Sequence, residues 1–96
     1  MDKKTAILDL TGCKYLGELH GRIKSALDFP DYYGENWDVF WDCINVDCDV
    51  DVVIIKGSTK VAEELIPDVK TLIELLEKNK QYWAERNYPL DYQIID

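Results

Sequence analysis

Two aspartates, Asp38 and Asp42, stand four residues apart in the stretch Trp37-Asp38-Val39-Phe40-Trp41-Asp42. On a helix that spacing puts both carboxylates on one edge, where they could bind a metal or meet a basic surface. Advancing about 100° per residue, Asn45 extends the same polar stripe. Trp37, Phe40, Trp41 and Ile44 recur at i, i+3, i+4 and i+7 and are expected to face the core. Trp41 falls at the border between core and stripe, and Tyr32 precedes the helix on a loop. Aromatic residues beside charges are typical of binding hot spots at protein interfaces. Stability alone does not select this arrangement: like charges four apart disfavour a helix by roughly 0.2–0.5 kcal/mol. Asp42 also lies toward the negative end of the helix dipole.

Other chemistry is poorly supported. Asp47-x-Asp49-x-Asp51 has the opening of a calcium loop, but the following glycine and the late bidentate glutamate are missing. The same alternation suits the solvent side of an extended lead-in to a strand. Cys43 and Cys48 have no second Cys or His pair near them, as structural zinc would require. His20, the single histidine, could serve a cysteine nucleophile only if the fold set it beside Cys13 or Cys43. The five glycines are scattered and form no phosphate-cradling loop. No metal and no cofactor are expected.

Charge sharpens the contrast. The net charge is −8, and the eight acids Asp28, Asp31, Glu35, Asp38, Asp42, Asp47, Asp49 and Asp51 occupy a window with no Lys or Arg. Outside it, eleven acids face eleven bases. The whole imbalance sits in one quarter of the chain, around the aspartate stripe. Direct nucleic-acid binding is disfavoured, because it needs a basic stripe. A cationic partner is favoured by the local negative field, against the plainer alternative of a solubilising acidic surface.

Positioning the stripe falls to a single small domain, residues 1–96, with 47% apolar content. Thr5–Leu10 is rich enough in aliphatics for a strand, and Thr11-Gly12 turns the chain. Apolar residues from Tyr15 to Leu27 recur at helical spacing. Pro30 forces a loop through Tyr32-Tyr33-Gly34, and a second helix is expected from about Asn36 to Asn45. Val52–Ile55 is wholly apolar, as in a parallel strand covered on both faces. Gly57-Ser58 then leads into a helix capped by Ser58 or Thr59. Pro67 should divide this region into a short helix and a longer one from about Asp68 to Arg86, stopped at Asn87-Tyr88-Pro89. Tyr92–Ile95 makes a third strand, and strands separated by helices imply a parallel sheet with right-handed crossovers. Three cysteines, an odd number, and a start that runs almost directly into a strand pattern suggest a reduced, cytoplasmic protein without disulfides. No apolar run approaches the ~20 residues of a membrane span.

The segment Pro30-Asp31-Tyr32-Tyr33-Gly34-Glu35-Asn36-Trp37-Asp38-Val39-Phe40-Trp41-Asp42-Cys43-Ile44 closely resembles the signature of the barstar family of ribonuclease inhibitors. The order of expected elements matches that family across nearly the whole chain. The resemblance implies an α/β fold, a three-stranded parallel sheet flanked by about four helices. It also implies a cytoplasmic, immunity-type inhibitor that plugs the active site of a barnase-like extracellular ribonuclease, and not an enzyme. Carried over residue by residue, the inhibitory surface maps onto Tyr32, Asn36, Asp38, Trp41 and Asp42. Asp42 would enter the basic phosphate-binding site, with Asp38 assisting from one turn earlier. A further family acid on the last helix falls on Glu77 or on the adjacent Lys78, and Glu77 joins the candidates beside Asn45. Asn45-Val46-Asp47-Cys48 departs from the Gly-Trp of the best-known member, so that part of the surface must differ. A monomer is expected. Two other readings stay open: an acidic module for another basic protein, and a small carboxylate-dependent metal hydrolase.

Overall fold

The computed structural model describes residues 4–46, 50–85 and 90–95. Its first strand, β1 (Thr5–Asp9), alternates exposed and buried residues, with Ala6 and Leu8 turned inward. Helix α1 (Leu16–Leu27) buries Leu19, His20, Ile23 and Leu27 along one stripe. It ends where Asp28 adopts a left-handed φ of 53° and donates its N–H to Lys24 O. The loop through Pro30 leads to α2 (Trp37–Val46), and β2 (Val52–Lys56) follows. A single 3-10 turn (Glu63–Leu65) runs straight into α3 (Ile66–Ala84), and β3 (Asp91–Ile95) is the last strand.

The three strands form a parallel sheet in the order β1-β2-β3, in which Thr5 pairs with Val52 and Val52 with Asp91. Ala6, Leu8, Val53 and Ile55 share a core with Leu19, Ile23 and Leu27 of α1, Phe40, Cys43 and Ile44 of α2, and Val69, Leu72 and Leu76 of α3. None of the helices is long and apolar enough to cross a membrane among the described residues.

Three expectations need correction. Among the described residues the flanking helices number three rather than about four, because Pro67 lies within the first turn of α3. There its missing N–H has no intrahelical role to lose, so it starts the helix instead of dividing the region. Neither Ser58 nor Thr59 caps a helix. Gly57, at φ 67°, opens a turn closed by Lys60 N–H to Gly57 O, and residues 60 and 62 bond to the backbone of Gly12 and Cys13 instead of winding up. A Cβ on Gly57 would come within 2.7 Å of Thr11 N, so the close approach of these loops needs glycine. Finally, β2 is fully covered on one face and only partly on the other: Val53 and Ile55 are buried, Val52 and Ile54 half-buried, and the neighbouring Ile7 is 56% exposed. The expected helix stop at residues 87–89 lies outside the described residues.

Candidate functional site

Helix α2 starts from a side-chain cap. Asn36 Oδ1 accepts the N–H groups of Asp38 (2.7 Å) and Val39 (3.4 Å), satisfying donors that a helix start leaves orphaned. Beneath this end lies an aromatic cluster. Trp37 meets His20 in a tilted contact with 4.5 Å between ring centres and Phe40 edge-on at 5.5 Å, while Phe29 lies 5.1 Å from Tyr33. The buried Tyr33 hydroxyl and His20 Nδ1 share a 2.6 Å hydrogen bond, which ties the loop to α1. Burial pushes the Tyr33 hydroxyl pKa up and holds that of His20 below its ordinary value. The His20 ring thus bonds a tyrosine, where cysteine catalysis would have required a thiol.

The far end of α2 is fastened by polar groups. Asn45 Nδ2 donates to Trp41 O (2.9 Å), and Asn45 Oδ1 accepts from Asn79 Nδ2 and from Trp83 Nε1, each at 2.7 Å. Asn79 is 0% exposed and occupies a core position of α3, three residues beyond Leu76. An aromatic wedge at one end and an amide clasp at the other thus fix how α2 is rotated.

That rotation decides what faces outward. Phe40, Cys43 and Ile44 are buried, whereas Asp38 and Asp42 on the opposite side are exposed. Compared with the expected stripe, the buried face is turned by about 60° toward Cys43, at roughly 100° per residue. Trp37 and Trp41 are consequently only half-buried, and Trp41 stands at the rim beside Asp42. Tyr32, 65% exposed, lies over the same helix, with Cys43 Sγ 3.9 Å from its hydroxyl. Asp38 and Asp42 make no ion pair among the described residues, where the pairs are Arg22–Glu18, Lys24–Asp31 and Lys80–Asp91. The helix has no basic residue in its last turn.

Tyr32, Asn36, Asp38, Trp41 and Asp42 are therefore brought together on α2 and its approach loop. Asn45 and Glu77 are placed differently. Both ends of the Asn45 amide are engaged within the chain. Glu77 accepts from Tyr92 Oη on β3 and from Gln81 Nε2, each at 2.8 Å, and these bonds (Gln81 first, then Tyr92) lower its pKa. It is the adjacent Lys78 that borders α2, with Nζ 5.4 Å from the centre of the Trp41 ring. Asn79 and Trp83 escaped the sequence reading, although an asparagine within an otherwise apolar stripe signals a buried polar partner.

Among the described residues no group of three or more His, Cys, Asp or Glu side chains could hold a metal. Asp47, Asp49 and Cys48 lie outside the described residues. Asp51 accepts the Lys4 N–H at 2.8 Å.

Over 49 residues the chain is 39% identical to a Bacillus subtilis (strain 168) protein named "Putative ribonuclease inhibitor YrdF", an alignment covering 51% of this chain and 54% of that protein. The chain thus spans about half the length of the curated relative it matches. Residues 3–95 match the family described as Barstar (barnase inhibitor). With that match running from ahead of β1 to the last residue of β3, the chain belongs to the Barstar family.

Proposed function

We propose that this chain inhibits a basic, extracellular-type ribonuclease by occluding its active site with the outer edge of α2. An enzyme that cleaves RNA must gather cations around the scissile phosphate. Two aspartates on a fixed helix edge offer such a site the charge it is built to bind. Asp42 takes the place of a phosphate, Asp38 supports it from one turn earlier, and Tyr32 and Trp41 cover the rim. Asn36 and Asn45 hold the helix in place, and Glu77 serves the junction of α3 with β3. The observation that carries this reading is the exposure of both aspartates on a helix whose opposite face is buried, without an ion pair among the described residues. Family membership and the name of the relative supply the substrate class of the target.

Steady-state cleavage of a short RNA by a panel of microbial ribonucleases tests the mechanism. Occlusion predicts competitive inhibition, in which the apparent KM rises and kcat is unchanged. Association should slow as salt rises, because screening shortens the reach of the acidic field. Inhibition that lowers kcat at constant KM would exclude a phosphate mimic.

A further inference from the structure

Resting on the reading above, we infer that Lys78 is a specificity-determining residue of this surface. It admits nucleases that present a carboxylate beside the Trp41 contact and penalises those whose rim is basic throughout. Lys78 is exposed on α3, and its ammonium sits over the half-buried Trp41 ring. Lys80, two residues on, is spent within the chain: it bonds Asp91 at 3.0 Å and lies over Tyr92. Lys78 has no such carboxylate among the described residues. It is a cation at the border of a surface whose own helix carries only acids.

Docking on Trp41 forces a choice on that ammonium. If it remains over the ring, the partner covers it and strips its water, and a desolvated ammonium needs an acceptor. If it swings away, its stem keeps the charge within reach of the same rim. In both cases an all-basic rim meets a like charge, which interfaces use to exclude wrong partners. A carboxylate opposite Lys78 removes the penalty and adds a charge-assisted hydrogen bond. A lysine suits this role because it is a compact charge on a flexible stem, which does not demand a fixed bidentate geometry.

The test uses barnase, the nuclease named in the family's description. Inhibition and association rate are measured for the unaltered chain, Lys78→Glu and Lys78→Met, each with and without Asp42→Ala. Lys78→Glu should bind roughly tenfold more tightly than the unaltered chain, chiefly through faster association at low salt, and Lys78→Met should fall between them. A barnase variant with one rim Arg or Lys changed to Glu should narrow or invert that preference. Thermal midpoints should agree for all three chains, since position 78 is exposed. Equal affinity across the series, preference of native barnase for the unaltered chain, or failure of Lys78→Glu to inhibit barnase at all would each overturn the role of Lys78. Loss of inhibition on Asp42→Ala combined with indifference at position 78 leaves the α2 reading standing and removes only this inference. Inhibition that survives Asp42→Ala in every background removes the α2 reading itself.

Discussion

Two regions of the molecule carry carboxylates and use them in opposite ways. At the corner between α3 and β3, Asp91 is held by Lys80 and Glu77 by Tyr92 and Gln81. On the outer edge of α2, Asp38 and Asp42 face solvent with no basic partner among the described residues. The corner closes its charge within the fold, at a net gain that exposed pairs keep small. The α2 edge leaves its charge open, accepts the mild repulsion of stacked aspartates and relies on uncharged fastenings at both ends of the helix. Under the proposed function, the uncompensated charge of the α2 edge acts in a complex rather than in folding.

The sharpest way to break the comparison is Asp42→Ala. Binding to the target nuclease should weaken by about 2–5 kcal/mol, because the partner's cations are left buried and unpaired. Stability should hold or rise slightly. Titration calorimetry beside thermal melts separates the two, and a large drop in melting point would mean that Asp42 serves the fold. Next is Asn79→Ala, which strips one donor from the clasp and empties a buried site. It should cost about 1–3 kcal/mol in urea unfolding, and it should also weaken binding by loosening Trp41 and Asp42.

His20 supplies a pH test of the other fastening. Burial holds its pKa below 6.5, so near that value the folded chain binds fewer protons than the unfolded one. Its contribution is complete above pH 6.5 and is lost as pH falls toward the folded-state value, at no more than about 1.4 kcal/mol per pH unit. Denaturant midpoints across pH 5 to 8 should show this slope, and His20→Gln should flatten it. A smaller loss, about 1 kcal/mol, is expected for Asn36→Ala through the removed cap. Lys80→Met should cost the least: its pair with Asp91 is solvent-exposed, so well under about 1 kcal/mol is at stake, with inhibition unchanged.

Much of this was legible in the residues, within a definable limit. The strands β1 and β2 follow from short aliphatic runs, and the helix α1 and the acidic edge of α2 from periodicity, which reports the face a residue occupies on its own element. What periodicity does not report is which side chain of a distant element arrives there. Asn45 reads as a third member of the aspartate stripe, yet its amide is claimed by Asn79 and Trp83, far along the chain. Lys78 and Glu77 are neighbours in sequence, and only the approach of α2 and β3 to α3 separates their roles. Pro67 failed as a divider for a local reason: the first turn of a helix tolerates proline, and position within the helix decides which rule applies.

The strand order carries a consequence for how such a chain emerges from the ribosome. Among the described residues each edge strand pairs with β2, so the ladder positions of Thr5 and Asp91 both wait for Val52. No hairpin can nucleate the sheet, and both pairings close long loops before any ladder bond forms. During synthesis the segment of the acidic helix therefore emerges before the platform that orients it, and α2 gains its full support only once the middle strand has captured both of its neighbours.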